Sequence, residues 1–215
     1  MAVEPYVRRS WPRLMVSWQR LLSGRFRDPL VGRDMLLGIL AGSAIAAVLC
    51  SANALLVIPR LGTSEANHVN PTFGQGLWQA VGFTISQPAS TCIATLIYIA
   101  ILAIMTGILR RRWLGLAALG LIWLALISPT SLLDLAFSVL YVVVSLAVMV
   151  RVGLIGSVCF YIVWHTLGFS PPLVLTHWYA GRAVIALLLP LALLVWGFYA
   201  SLGGQPIFGS SLKED

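Results

Sequence analysis

Long uncharged apolar segments dominate this chain of 215 residues and leave it few ways to fold in water. Only 10% of the residues are charged and 59% are hydrophobic, whereas a soluble domain carries about 25% charged residues. Several segments are long enough to cross a hydrocarbon core of about 30 Å. Backbone groups inside a bilayer must be satisfied within their own segment, so these runs predict an all-α, polytopic helical membrane bundle.

Charged and turn-forming residues divide the apolar sequence into six predicted spans. The spans cover approximately 35–58, 91–109, 113–128, 132–150, 154–168 and 183–202. The apolar segment 132–167 is divided because a single helix of that length would rise about 54 Å. The division falls at Arg151-Val152-Gly153, where a charge meets a turn-permissive residue. The less hydrophobic stretch 60–90 is expected to form a loop with one interfacial helix over 77–86.

These spans predict three regions: an Arg-rich cytoplasmic segment and hinge over 1–34, a six-span membrane domain over 35–203, and a cytoplasmic tail over 204–215. The net charge is +7, and 13 of the 14 basic residues are arginine. Basic residues that flank spans favour the cytoplasm. With both termini inside, only Arg60 and Arg182 lie outside, which predicts a multi-pass protein of the bacterial cytoplasmic (inner) membrane. Anionic lipid headgroups then explain the arginines, and nucleic acid is not expected as a partner.

Residues 10–23 have the spacing of an amphipathic helix that precedes the first span. Trp11 and Trp18 lie on its apolar face, and Arg13, Ser17 and Arg20 lie opposite. Tryptophan and arginine on such a helix predict that it lies in the membrane interface. The residues expected at the membrane surface are Trp11, Arg13, Trp18 and Arg20. The alternative is a soluble helix that packs on a further cytoplasmic domain.

The first span carries Gly38 and Gly42 on one face. Glycines four residues apart allow a second helix to approach closely, which is common in membrane helices. We expect these glycines to pack inside the bundle rather than to form a dimer seam.

Ionisable residues are almost absent from the predicted spans, so the sequence predicts no catalytic site and no enzyme. Asp134 begins the fourth span three residues after Ser131, where it fits a helix cap better than a proton relay. Three isolated cysteines predict neither a disulfide framework nor a metal site.

Two alternative functions depend on other side chains. His165 near the outer end of the fifth span, with His177 in the following loop, are candidate ligands of haem or chlorophyll in an electron-transfer or photosynthetic complex. If the protein is instead a module without a cofactor, His165 is an interfacial side chain that hydrogen-bonds a carbonyl. This is the leading interpretation, and no cofactor is expected on it. A small-solute transporter is the second alternative, with a pathway lined by Asn53, Ser86 and Thr91.

Four short stretches carry a resemblance to a known family: 24–34, 151–154, 178–181, and 196–199 followed by 203–208. They resemble the C-terminal multi-span membrane region of some bacterial, acidobacterial-type serine/threonine protein kinases. In that family a cytoplasmic kinase domain precedes the membrane region. This sequence holds no kinase motifs, so the resemblance implies no phosphotransfer. It implies a membrane module that anchors, senses or assembles. The leading interpretation of the whole sequence is a non-enzymatic membrane module that anchors, assembles or regulates a partner protein or complex, and either a protein partner or a homo-oligomer is expected.

Overall fold

The computed structural model describes residues 16–52, 76–129, 131–169, 176 and 180–205. Every regular element within these ranges is an α-helix, so the predicted all-α class is confirmed. The helices are α1 (Val16–Leu22), α2 (Pro29–Ala52), α3 (Leu77–Leu109), α4 (Arg112–Ile127), α5 (Leu132–Arg151), α6 (Leu154–Phe169) and α7 (Ala180–Ser201).

Among the described residues, four helices are long and apolar enough to cross a membrane. They are α2, α3, α5 and α7. The apolar helices α4 and α6 have 16 residues each, which corresponds to a rise of about 24 Å. By length and composition, these four helices are the candidate spans of a membrane protein. Six crossings require the two short helices to cross as well.

The breaks between α4 and α5 and between α5 and α6 lie where charge and turn residues place them in the sequence. Helices α5 and α6 are separated at Val152 and Gly153. Gly153 has a φ of +93°, a backbone conformation that glycine adopts at no steric cost. At the start of α5, the Ser131 side chain accepts a hydrogen bond from the Asp134 backbone N–H at 3.1 Å. Ser131 is therefore the N-cap of α5, and the capping role of the Asp134 carboxylate stays a prediction.

Helix α2 begins at Pro29, earlier than the predicted start at Met35. Proline suits the first turn of a helix because its missing N–H would have no partner there. The Asp28 carboxylate accepts the Leu30 N–H at 2.9 Å. Of the polar residues that indicated a hinge, Gly32, Arg33 and Asp34 therefore lie in the first turns of the helix, and residues 25–28 form the loop before it. The predicted residues 53–58 of this span lie outside the described residues.

The structure of α3 differs from the prediction for residues 77–109. The predicted interfacial helix over 77–86 and the predicted span over 91–109 form one helix of 33 residues, with Pro88 in its interior. A proline removes one backbone donor, whereas a break would leave several backbone groups without partners in an apolar environment. Continuing the helix through Pro88 is therefore the less costly solution.

Helix α6 lies at the centre of the bundle and contacts α2, α3, α5 and α7. Most of its residues are buried, and its most extensive contact is with α2. Gly38 of α2 lies directly on the backbone of Gly156, and a Cβ at Gly42 would lie 2.8 Å from the Phe160 carbonyl oxygen. The two glycines therefore lie at a helix–helix contact inside the bundle, with the two backbones in direct contact.

Replacing Gly38 by alanine should destabilise the bundle, because the added methyl group meets the Gly156 carbonyl rather than a movable side chain. We expect a cost of about 1–3 kcal/mol, the usual range for overpacking. Thermal unfolding of the purified protein in detergent measures it. Gly107→Ala is the matched control, because a Cβ at Gly107 meets nothing within 4 Å. Equal melting temperatures for the two variants would contradict the packing argument.

Candidate functional site at the basic end of the bundle

Three chain segments meet at one end of the bundle. A Cβ at Gly32, near the start of α2, would lie 2.6 Å from the Gly197 carbonyl oxygen near the end of α7. A Cβ at Gly156, near the start of α6, would lie 2.9 Å from the Asp34 carbonyl oxygen. The starts of α2 and α6 and the end of α7 therefore lie on the same side of the molecule.

Helices α3, α4 and α5 bring further arginines to the same end. Gly115 of α4 packs on Thr106 of α3 beside the turn at 110–111, and Gly120 packs on Leu146 and Val142 of α5. Because α5 ends where α6 begins, the turn at 110–111 and Arg151 share one end of the bundle. We call this the basic end; its arginines are Arg20, Arg25, Arg27, Arg33, Arg110, Arg111, Arg112 and Arg151, all exposed except the half-buried Arg20.

Helix α1 is attached to this end by a buried hydrogen bond. The Ser17 hydroxyl donates to the Asp34 carboxylate at 2.7 Å, and the two residues are 0% and 3% exposed. Arg33 forms an ion pair with the other carboxylate oxygen at 3.1 Å. A buried carboxylate is costly unless it is paired and hydrogen-bonded. Ser17 and Arg33 supply these interactions, which fixes α1 against the start of α2.

A second ion pair closes the loop between α1 and α2. Arg20 donates to both carboxylate oxygens of Asp28, at 2.8 and 3.1 Å. Burial alone would raise the pKa of Asp28, but the hydrogen bond from the Leu30 N–H and the Arg20 guanidinium outweigh it and lower the pKa. Asp28 therefore stays ionised at neutral pH, with its charge compensated by Arg20.

The orientation of α1 differs from the amphipathic pattern in its sequence. Ser17, assigned to the polar face, is fully buried, whereas the apolar Leu22 is 68% exposed. The buried acceptor on Asp34 explains the inversion at Ser17, because the hydroxyl has a partner inside the protein. Trp18 packs against the two clusters of buried apolar residues in the core, one that includes Phe160 and one that includes Met35. Trp11 and Arg13 lie outside the described residues, and the membrane-surface role of all four residues stays a prediction.

An aromatic cluster lies at mid-depth between α3, α4 and α6. The rings of Tyr98 and Trp123 meet edge to face at 4.7 Å, and Tyr161 lies 6.0 and 6.3 Å from these two rings. The Tyr161 hydroxyl forms a buried hydrogen bond of 2.7 Å with Ser145 of α5. Tyr98 and Trp123 lie about 18 Å along their helices from the turn at 110–111. The cluster links four helices but contains no carboxylate, histidine or cysteine.

Of the two candidate cofactor ligands, His165 alone lies in the described part of the chain. His165 is half-buried and its ring stacks on Phe169 at 5.6 Å. His177 lies outside the described residues. The described residues contain no group of three or more His, Cys, Asp or Glu side chains that could hold a metal ion. The three cysteines are free, and Cys159 is buried in the core.

The candidate transport residues are engaged with their own helix. The Ser86 hydroxyl donates to the Phe83 carbonyl at 2.9 Å, and the buried Thr91 hydroxyl donates to the Gln87 carbonyl at 2.7 Å. Such bonds satisfy hydroxyl groups inside a helix and leave no donor for a solute. Asn53 lies outside the described residues.

Comparison with protein-family models, with curated proteins and with solved structures finds no match for this chain. The likeness to kinase membrane regions stays a prediction.

Sequence analysis missed the two aspartates that organise the basic end. Asp28 and Asp34 both lie in the segment 1–34 that the sequence predicts to be an Arg-rich region and hinge. A usable signal was present, since Asp28 directly precedes Pro29, which is a common start of a helix. The partner of Asp34 gave no comparable signal, because Ser17 lies a full helix away in the chain.

Removing the Ser17 hydroxyl should release α1 from the bundle. Hydrogen bonds to charged groups contribute about 1.5–3 kcal/mol, so Ser17→Ala should raise amide exchange in residues 16–22 by about tenfold or more. Hydrogen–deuterium exchange of the purified protein measures this. Ser23→Ala is the matched control, because the exposed Ser23 hydroxyl bonds only the nearby Arg20 carbonyl. Equal exchange in the two variants would show that the Ser17–Asp34 bond does not hold α1.

Proposed function

We propose that this protein is a non-enzymatic integral membrane module of the bacterial inner membrane, which anchors, assembles or regulates a cytoplasmic partner at its basic end. The observation that carries the proposal is the separation of charge along the bundle. The basic end carries exposed arginines and the docked helix α1, whereas the apolar body below it, made of residues 35–52, 77–109, 113–127, 135–150, 154–169 and 183–201, has no Asp, Glu, Lys or Arg. A charged end on an apolar body suits a contact with an acidic protein surface.

The proposed orientation places the basic end in the cytoplasm. Basic residues next to spans favour that side, and the described arginines other than Arg182 belong to it. Helices α4 and α6 then cross the membrane with α2, α3, α5 and α7, which makes six crossings and puts both termini inside. Local thinning of the bilayer accommodates short helices at a modest cost. Burial of α6 within the bundle further reduces its exposure to lipid.

Topology reporters test the crossings directly. Fusions of a reporter active only in the periplasm, after residues 110, 129, 151, 176 and 205, should be inactive, active, inactive, active and inactive. Matched fusions of a reporter that fluoresces only in the cytoplasm should give the opposite series. If α4 did not cross, the fusions after 110 and 129 would behave alike. If α6 did not cross, the fusions after 151 and 176 would behave alike.

Purification of the native protein in a gentle detergent tests the anchoring role. We expect a colourless preparation that carries a partner protein in a fixed stoichiometry. The double variant Arg110→Gln and Arg111→Gln should lose this partner because it removes two exposed charges of the basic end. Arg182→Gln, at the opposite end, should keep it. Mass spectrometry of the co-purified proteins, normalised to this chain, gives the stoichiometry.

Absorption spectroscopy of the same sample tests the rival function. A haem or chlorophyll band that disappears in His165→Ala would overturn the proposal in favour of a cofactor-binding subunit. A colourless sample without a stoichiometric partner would also contradict an anchoring role. Retention of the partner by the double arginine variant would show that the contact lies elsewhere on the protein.

A further inference from the structure

Two concavities meet at Phe26 and Arg27, on the outer side of the basic end. The first is an open groove of about 650 Å³ along α7, with Phe26 and Arg27 at its end. The second is a pocket of about 490 Å³ formed by residues 24–29 of the loop before α2. The first is lined mainly by apolar side chains and the second by a loop with two arginines. Together they have the form of a site for an amphiphile.

We propose that these two concavities bind one anionic phospholipid, with its phosphate at Arg27 and Arg25 and one acyl chain in the groove along α7. The site involves no protein partner. The proposed orientation of the protein in the membrane determines only which leaflet supplies the lipid.

The apolar part has the dimensions of one leaflet. Its lining side chains recur at helical spacing on a single stripe of α7, which includes Leu188, Leu191, Val195 and Tyr199, each more than half exposed. From Leu188 to Tyr199 the helix rises about 16 Å, and half of a hydrocarbon core is about 15 Å. An acyl chain that starts at the basic end can therefore follow this stripe to the middle of the bilayer.

The polar part carries positive charge that no nearby acid cancels. Asp28 is the one acidic residue that lines the pocket, and Arg20 already pairs with it at 2.8 Å. Within the described ranges, no carboxylate lies at ion-pair distance from Arg25 or Arg27. A phosphate group placed there meets arginine side chains without competition from a bound carboxylate, and arginine suits phosphate because its guanidinium presents several donors in one plane.

A cation–π contact places Arg27 at the junction of the two parts. Its guanidinium carbon lies 5.6 Å from the centre of the Tyr199 ring, which lines the groove. Trp196 and Phe26 lie beside it, and such aromatic side chains are enriched at the level of the headgroups. Charge, aromatic rings and apolar stripe therefore follow one another in the order of a phospholipid's phosphate, glycerol and acyl chain. A soluble anion uses only the first of these features.

Native mass spectrometry of the full chain, released from nanodiscs, tests the site. Discs with equal amounts of phosphatidylglycerol and phosphatidylcholine of the same acyl chains supply both lipids. The wild-type protein should retain one phosphatidylglycerol in preference to phosphatidylcholine. Arg27→Gln should reduce this retention by about five- to tenfold, because it removes a charge-assisted contact. Arg151→Gln, an exposed arginine of the same end outside the site, should leave it unchanged. Equal retention of the two lipids, or equal effects of the two variants, would overturn the proposal.

Two further pairs of variants separate a lipid site from a simple anion site. Leu191→Trp fills the groove and should reduce phosphatidylglycerol retention, whereas Leu121→Trp, on the exposed face of α4, should not. Tyr199→Phe keeps the ring under Arg27 and should retain the lipid, whereas Tyr199→Leu should lose it. Unchanged retention in Leu191→Trp, together with displacement of the lipid by inorganic phosphate, would show an anion site and overturn the lipid assignment. Circular dichroism and size-exclusion profiles confirm that each variant is folded.

Discussion

Direct backbone contact between α2 and α6 is the constraint on which the rest of the bundle depends. Lipid tails are as apolar as leucine, so helices in a membrane gain little from hydrophobic association and depend on close packing. Gly38 and Gly42 provide that packing against Gly156 and Phe160, and Gly32 repeats it on the other side against α7. Helix α2 thus brings α6 and α7 together at the basic end, and each glycine acts by the absence of its side chain.

The position of α1 follows from the same contact. Because α2 is enclosed by α6 and α7 at this end, Val31, Asp34 and Met35 are all buried. For Val31 and Met35 this burial is favourable, but the Asp34 carboxylate requires hydrogen bonds inside the protein. Ser17 meets part of that requirement, so α1 packs against the start of α2 rather than extending away from it. The basic end therefore obtains its shape from a buried acid.

The helix boundaries could be predicted from the sequence where local chemistry decides them. Gly153 permits a left-handed turn, Ser131 caps a helix, and the charges at 110–112 interrupt an apolar run. These signals act within a few residues, so the sequence alone contains them. Pro88 is the contrary case, because a proline that usually ends a helix is kept inside α3. Its surroundings, rather than its own propensity, decide the outcome.

The candidate sites could be predicted only in their composition. Arginines at one end and a tryptophan-containing first helix are visible in the sequence, but the burial of Ser17 is not, because it depends on Asp34 in another helix. The same holds for Arg27 and Tyr199, which lie at opposite ends of the sequence and meet only in the folded chain. A pattern in one helix indicates which face is apolar. It does not indicate which polar residue has a partner inside the protein.

The two proposed sites of the basic end lie on different helices. Helix α4, which follows Arg110 and Arg111, packs against α3 and α5, whereas α7, which carries the groove, packs against α2, α3 and α6. A lipid at Arg27 would contact residues 24–29 and the apolar stripe of α7, and none of these belongs to the turn at 110–111. In the two proposals, the lipid therefore lies on the α2–α7 side of the bundle and the partner protein contacts the α3–α4 side.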